Sequence, residues 1–331
     1  MYTKTLTFPL FGTDRKSKSI VIGWVGLSIA ILCASTSTTY AKILTGALSP
    51  LTLLFVSESI VLIFTVLSFG FVPIIEELFK KRKRYLFPLI LVGITNSIIA
   101  PLLIFTGLQM SQAINAELYL RTYAIFLFIF ASIFLREKIT RTDIFALMCT
   151  FSGVLIVAMK GFTSGFVTER GDLLILSGAL TYAIGGVIFK KKLHKIHPEL
   201  VLFVRGVTAI AFFLAVSPFL ENNLLAEVKL FPYEMIGALI GYGLIARFLY
   251  LFSFYESIER LPIHTVSMLL PLITIGSLLF SRAMLKEEIA WYHILGGVMI
   301  ILGSIVMQLS AKHFKGKHLS WHLRHSNRHH I

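Results

Sequence analysis

Residues 135–157 read "LREKITRTDIFALMCTFSGVLIV", and residues 285–307 read "LKEEIAWYHILGGVMIILGSIVM". Leu, Glu, Ile, Ile and Gly recur in place between them. A shorter pair aligns likewise: "SPLTLLFV" (49–56) against "HPELVLFV" (197–204), with Lys42 falling opposite Lys190. The chain is therefore read as one unit written twice. Each copy holds a series of long apolar runs, and the number of runs per copy decides the architecture.

A bilayer core about 30 Å thick needs roughly 20 apolar residues per helix. Ten runs meet that demand, at about 20–40, 50–71, 86–107, 112–134, 142–160, 171–189, 199–220, 234–254, 263–285 and 290–311. The composition agrees. Of 331 residues, 56% are hydrophobic and only 15% are charged, and the mean hydropathy is +0.81. A water-soluble domain of this size carries more charge, so the chain reads as an all-α integral membrane protein. Unbroken apolar runs exclude the alternating pattern of a membrane β-barrel. Each copy has five spans, an odd number, so the second copy enters the membrane from the opposite side. The expected fold is a five-plus-five inverted repeat. Its segments are an N-terminal tail (1–19), a first repeat (20–160), a second repeat (161–311) and a basic, His-rich tail (312–331).

The formal net charge of +14 does not point to nucleic acid, because basic and aromatic residues form no interleaved patch. The basic residues lie in alternate connections: Lys80, Lys81, Arg82, Lys83 and Arg84, then Arg136, Lys138 and Arg141, then Lys190, Lys191, Lys192 and Lys195. By the positive-inside rule these connections and both termini are expected in the cytoplasm. Cys33 and Cys149 lie in apolar runs and suggest no disulfide framework. No Walker loop, HExxH, GxSxG or ordered metal cluster is present, so neither an enzyme nor a cofactor or metal site is expected.

Charges inside spans are costly and usually face a cavity or a partner. "AINAELYLRTYAIFLF" (113–128) carries Glu117 and Arg121 at an i,i+4 spacing on one helix face. Arg121 is expected to bind an acidic group of a substrate, because its planar fork matches an oxyanion, with Glu117 orienting it. Arg247 is a second substrate contact or the partner of Glu58 or Glu117. Glu58, with no charged partner on its own helix, and Glu117 are the candidates for a coupling proton or an amine. Asn96, Tyr119 and Tyr182 complete the expected lining, with Tyr242 and Tyr250 as further aromatic candidates. Arg205 begins the seventh span close enough to its edge to snorkel. The hydroxyl run "CASTSTTY" (33–40) either packs against helix carbonyls or lines a cavity. The Gly237–Gly241 spacing suits close helix packing and leaves homodimerisation open.

Ten spans as five plus five, with "FLREKIT" in one short connection and "AMLKEEIA" in its counterpart, resemble the EamA-type branch of the drug/metabolite transporter superfamily over about 20–311. The resemblance implies movement of a small metabolite, amino acids among them, across a cytoplasmic membrane without ATP. Proline is common in the family's fourth and ninth spans. This chain has Pro271 in the ninth but Arg121 at the equivalent place in the fourth. The expected function is secondary transport of a small polar metabolite, of amino-acid or related carboxylate type, in a prokaryotic membrane, with a proton or ion as coupling partner. The competing reading is a non-transporting membrane sensor or assembly protein whose buried charges are structural.

Overall fold

The computed structural model describes residues 16–135, 140–160, 170–193, 196, 198–219, 227, 229, 231–261, 266 and 269–306. The 312–331 tail and most of the N-terminal tail lie outside them. Eight helices are long and apolar enough to cross a membrane: α1 (Ile20–Thr45), α2 (Pro50–Phe69), α3 (Tyr85–Met110), α4 (Ala113–Phe134), α5 (Arg141–Ala158), α6 (Arg170–Leu193), α7 (Glu199–Phe219) and α8 (Tyr233–Phe254). Two shorter apolar helices follow, α9 (Leu272–Leu285) and α10 (Trp291–Val306). They correspond one for one to the ten apolar runs. No strand occurs among the described residues.

Large apolar side chains face outward along the bundle. Leu67 is 72% exposed, Phe87 75% and Phe145 64%. So broad an apolar surface is untenable in water and is what lipid requires. One connection is itself helical. The segment between α2 and α3 runs as helix from Phe71, after Gly70 turns the chain with φ +80. That angle is in the left-handed region, where a side chain is strained.

The second copy of the repeat is the image of the first, and the chain shows where the axis lies. Cys149 on α5 donates its thiol to the carbonyl of Met299 on α10, a residue 150 positions away. Since 150 is also the repeat offset, a residue is touching its own counterpart. That happens only beside a two-fold axis. The flanking contacts repeat the relation. Gly153 packs on the Gly296 carbonyl, and its counterpart Gly303 packs on the carbonyl of Ala146, the counterpart of Gly296. Contacts that climb one helix while descending the other make α5 and α10 antiparallel. Repeat partners that run antiparallel are inverted copies. The wider packing obeys the same exchange: α1 packs on α8 as α6 packs on α3, and α1 on α9 as α6 on α4.

The close approach depends on glycine. A Cβ at Gly153 would stand 2.5 Å from the Gly296 carbonyl oxygen. Backbone cannot move aside as a side chain can, so Gly153→Val is expected to destabilise the protein by about 1–3 kcal/mol through overpacking. The check is thermal unfolding in detergent. An unchanged midpoint would mean that α5 and α10 do not meet here.

Several spans are interrupted, and the interruptions are also paired. α4 breaks at Arg121 (φ −66, ψ −19), between the helical pieces Ala113–Leu120 and Thr122–Leu135. α9 begins after Pro271 (φ −59, ψ −19), the counterpart of Arg121. Wide π-helical turns occupy Ile94–Ile99 in α3 and Gly241–Leu249 in α8. The offset carries the first into the second. In α3 the wide turn stands just ahead of Pro101, which cannot donate the usual backbone hydrogen bond. In α8 the sequence supplies Gly241 and Gly243 instead. Gly241 packs against Tyr40 of α1, while a Cβ at Gly237 would meet nothing within 4 Å among the described residues.

Candidate functional site

The break in α4 and the wide turn of α8 meet at a cavity of about 340 Å³ between the two copies. The first copy contributes Ser37 and Thr38 from α1, Glu58 from α2, and Glu117, Leu120 and Arg121 from α4. The second contributes Arg205 from α7, Arg247 and Tyr250 from α8, and Ile273 from α9. Three arginines and two glutamates therefore share one small chamber. At this volume it sits at the low end of ligand cavities, roughly 300–1,000 Å³.

The charges are arranged in pairs. Glu117 is 4% exposed. Its carboxylate accepts hydrogen bonds from Arg121, one turn along, and from the Thr38 hydroxyl of α1 at 2.6 Å. The break in α4 places Arg121 at a bend, where its Nε has no hydrogen-bond partner. Glu58 is 2% exposed and accepts a 2.7 Å hydrogen bond from Arg247 Nη2. That pair joins the two copies. The wide turn of α8 carries Arg247, whose guanidinium also lies 5.9 Å from the Tyr242 ring centroid, within cation–π reach.

Arg205 is held differently. Its Nε donates to Ser97 Oγ at 3.0 Å and its Nη2 to the Asn96 carbonyl at 3.1 Å. Both acceptors lie on the wide turn of α3. No carboxylate among the described residues pairs with Arg205.

Of the residues expected from sequence, Glu58, Glu117, Arg121 and Arg247 are brought together on the cavity. Tyr250 joins them. Tyr182 is partly buried outside the lining, within electrostatic reach of Arg247, Arg205 and Glu58. Asn96 contributes its carbonyl rather than its amide, and its side chain is wedged against Gly185 of α6. Tyr119 is off the cavity. It is 1% exposed and donates to Asp172 of α6 at 3.2 Å. It stands two residues from Glu117 and from Arg121, a spacing that turns it to the other side of the helix. Arg205, Ser37 and Thr38 also line the cavity; Arg205 does not snorkel to the span edge as expected but is held inward by Ser97 and Asn96.

One end of the cleft between the copies is closed by polar contacts. Glu287, the glutamate of the second Leu-x-Glu-x-Ile element, accepts the backbone N–H groups of Ala113 and Ile114 at 2.7 and 2.9 Å. It thereby satisfies two donors at the start of α4 and places negative charge at the helix N-terminus, where it is stabilising. Its counterpart Glu137 lies outside the described residues. His293 of α10 accepts the Ala290 N–H on Nδ1, so its proton is on Nε2, which donates to Asn115 of α4 at 3.0 Å. The motif is thus a strut between copies. Charge is not enough to mark a binding group.

At the same end, Glu227 from the α7–α8 connection accepts hydrogen bonds from Thr52, the Ser49 hydroxyl at 2.8 Å and the Ser49 N–H at 3.2 Å. Burial pushes this carboxyl up, but the hydrogen bonds from Thr52 and Ser49 outweigh it and hold the group below the ordinary value. A depressed folded-state value means that the tether acts fully above the ordinary glutamate value of about 4.3. It is lost as pH falls through the lower folded value. Acidification from pH 6 to the region below about 4 should therefore lower amide protection around Ser49 and Thr52 in wild type, relative to the intrinsic exchange rate at each pH. Glu227→Gln should show fast exchange there already at pH 6. Equal protection in both proteins at pH 6 would contradict the tether.

Apolar helices in two antiparallel images, enclosing a charged chamber, define an integral membrane protein of the inverted-repeat class. The chain belongs to the EamA-like transporter family, whose model matches residues 21–159 and 169–309, one match per copy. Its curated relatives include an uncharacterized transporter of Methanothermobacter thermautotrophicus, 23% identical over 236 residues, which are 70% of this chain and 67% of the relative. The uncharacterized transporter YcxC of Bacillus subtilis is 23% identical over 205 residues, 60% of this chain and 65% of the relative. The aligned regions thus span about two thirds of these relatives. A protein of known crystal structure, 18% identical, shares the fold with a TM-score of 0.57, covering 91% of this chain and 99% of that one.

Proposed function

We propose that the protein is a secondary transporter that moves a small polar metabolite, of amino-acid or related carboxylate type, by alternating access. The observation that carries this reading is the cavity itself. Intramembrane charges from both copies meet in one chamber of about 340 Å³ rather than in a dry seam. In an inverted repeat the two copies rock about such a chamber and open it to each side in turn. Substrate contacts come from Arg121 and Arg247, with Glu117 orienting Arg121 and Tyr182 behind the lining. Glu58 and Glu117 are the groups through which a coupling proton would pass, since each is a buried carboxylate on the chamber wall. Both termini face the cytoplasm of a prokaryotic cell, as the basic connections indicate.

The test is uptake and counterflow in proteoliposomes with a pooled library of labelled metabolites, with and without a pH gradient. Saturable counterflow of at least one small polar solute is expected. No flux of any solute would overturn the transport reading and leave a sensor or assembly role.

A further inference from the structure

An arginine in lipid-buried protein needs compensation, and the chamber supplies it unevenly. Arg121 has Glu117 and Arg247 has Glu58. Arg205 has only the neutral oxygens of Ser97 and Asn96. Those two acceptors use part of its guanidinium and leave further N–H groups without a described partner. They also fix the guanidinium, because both belong to the wide turn of α3.

We propose that Arg205 anchors the carboxylate of a small organic monoanion in this chamber, and that the chamber selects solutes carrying one net negative charge. The proposal rests on the transport reading above and narrows its substrate class. The described lining has three arginines and two glutamates, an excess of one positive charge, which a monoanion neutralises and a dianion overshoots. Both carboxylates are already engaged by arginine, so neither is free to take the ammonium of a zwitterion. An immobilised guanidinium with spare donors is the arrangement that matches a carboxylate with two hydrogen bonds. Leaving it uncompensated in a low-dielectric site is costly, and a bound anion removes that cost. Ser97 acts through Arg205 as a positioning residue.

The test uses the full chain in proteoliposomes and four pools of labelled solutes sorted by charge at pH 7: monocarboxylates, dicarboxylates, amino acids and alkylamines. Counterflow is expected from the monocarboxylate pool. Counterflow carried by amino acids or alkylamines alone, or by dicarboxylates alone, would overturn the proposal while leaving the transport reading intact. No flux from any pool would remove both. For the solute that moves, Arg205→Gln should lower uptake at limiting concentration by about tenfold or more. Arg205→Lys, which keeps the charge without the planar fork, should fall between. An Arg205→Gln protein with wild-type uptake would also overturn the proposal. If that variant does not fold, the charge of the solute moved by wild type and the Arg205→Lys uptake still decide it.

Discussion

Arg247→Ala should be among the most destabilising single substitutions in the chamber, and removing Glu58 as well should restore most of the loss. The pair joins α2 to α8 at 2.7 Å, with side chains 2% exposed for Glu58 and 20% for Arg247. Removing one partner of a buried pair leaves an uncompensated charge, at a cost of about 3–5 kcal/mol in soluble proteins. In a bilayer the unfolded reference state also finds partners, so the measured value should fall toward the lower figure. The asymmetry should survive. The double variant Glu58→Gln/Arg247→Ala has no orphan charge, and its unfolding midpoint should lie well above that of Arg247→Ala alone. Additive losses would show that the two side chains do not interact. Transport should be lost in both variants, because the chamber wall is altered in each.

Copying the ninth span into the fourth should separate scaffold from site. The double variant Glu117→Ser/Arg121→Pro gives the fourth apolar run the residues that the ninth run, 263–285, has in Ser267 and Pro271. The backbone accepts the exchange, since Arg121 and Pro271 have nearly the same φ and ψ. Two contacts are given up, the Arg121 N–H to Leu118 carbonyl at 3.2 Å and the Thr38 hydroxyl to Glu117 at 2.6 Å. Because both charges leave together, no orphan remains. The variant should therefore lose about 2–4 kcal/mol of stability, the value of one ordinary and one charge-assisted hydrogen bond. Its transport should fall by roughly two orders of magnitude, the range for truncating a charged group that contacts a ligand. A folded variant with normal transport would show that the Glu117–Arg121 pair is only packing. The charges would then be an accident of this copy rather than its function.

The spans were legible because hydropathy accumulates over some twenty residues, and local detail cannot reverse it. The inversion was legible from an odd span count and the spacing of Leu135 and Leu285. The charged pairs were legible in part. Glu117 and Arg121 are one helical turn apart, and that geometry is written in the sequence. The partner of Glu58 is 189 residues away, and only folding chooses Arg247 over Arg121. Arg205 was misread as a snorkelling side chain, because sequence gives distance from a span's edge but not which way the helix faces. The break at Arg121 was hidden for another reason. Proline announces it in α9, but arginine in α4 gives no such sign, and tertiary packing imposes the same bend. Tyr119 shows the converse error. It is buried and on the expected helix, but it points away from the cavity, to Asp172 of α6.

On the proposed transport mechanism, the chamber between the copies is the path across the membrane. That path is tested most directly by cysteine accessibility at Ala246, which lines the chamber beside Arg247. Cys33 and Cys149 are first replaced, and Ala246→Cys is then treated in sealed proteoliposomes with a membrane-impermeant thiol reagent from either side. The prediction is reaction from both sides, slowed from each by the transported solute. Reaction from one side alone, or from neither, would contradict alternating access through this chamber.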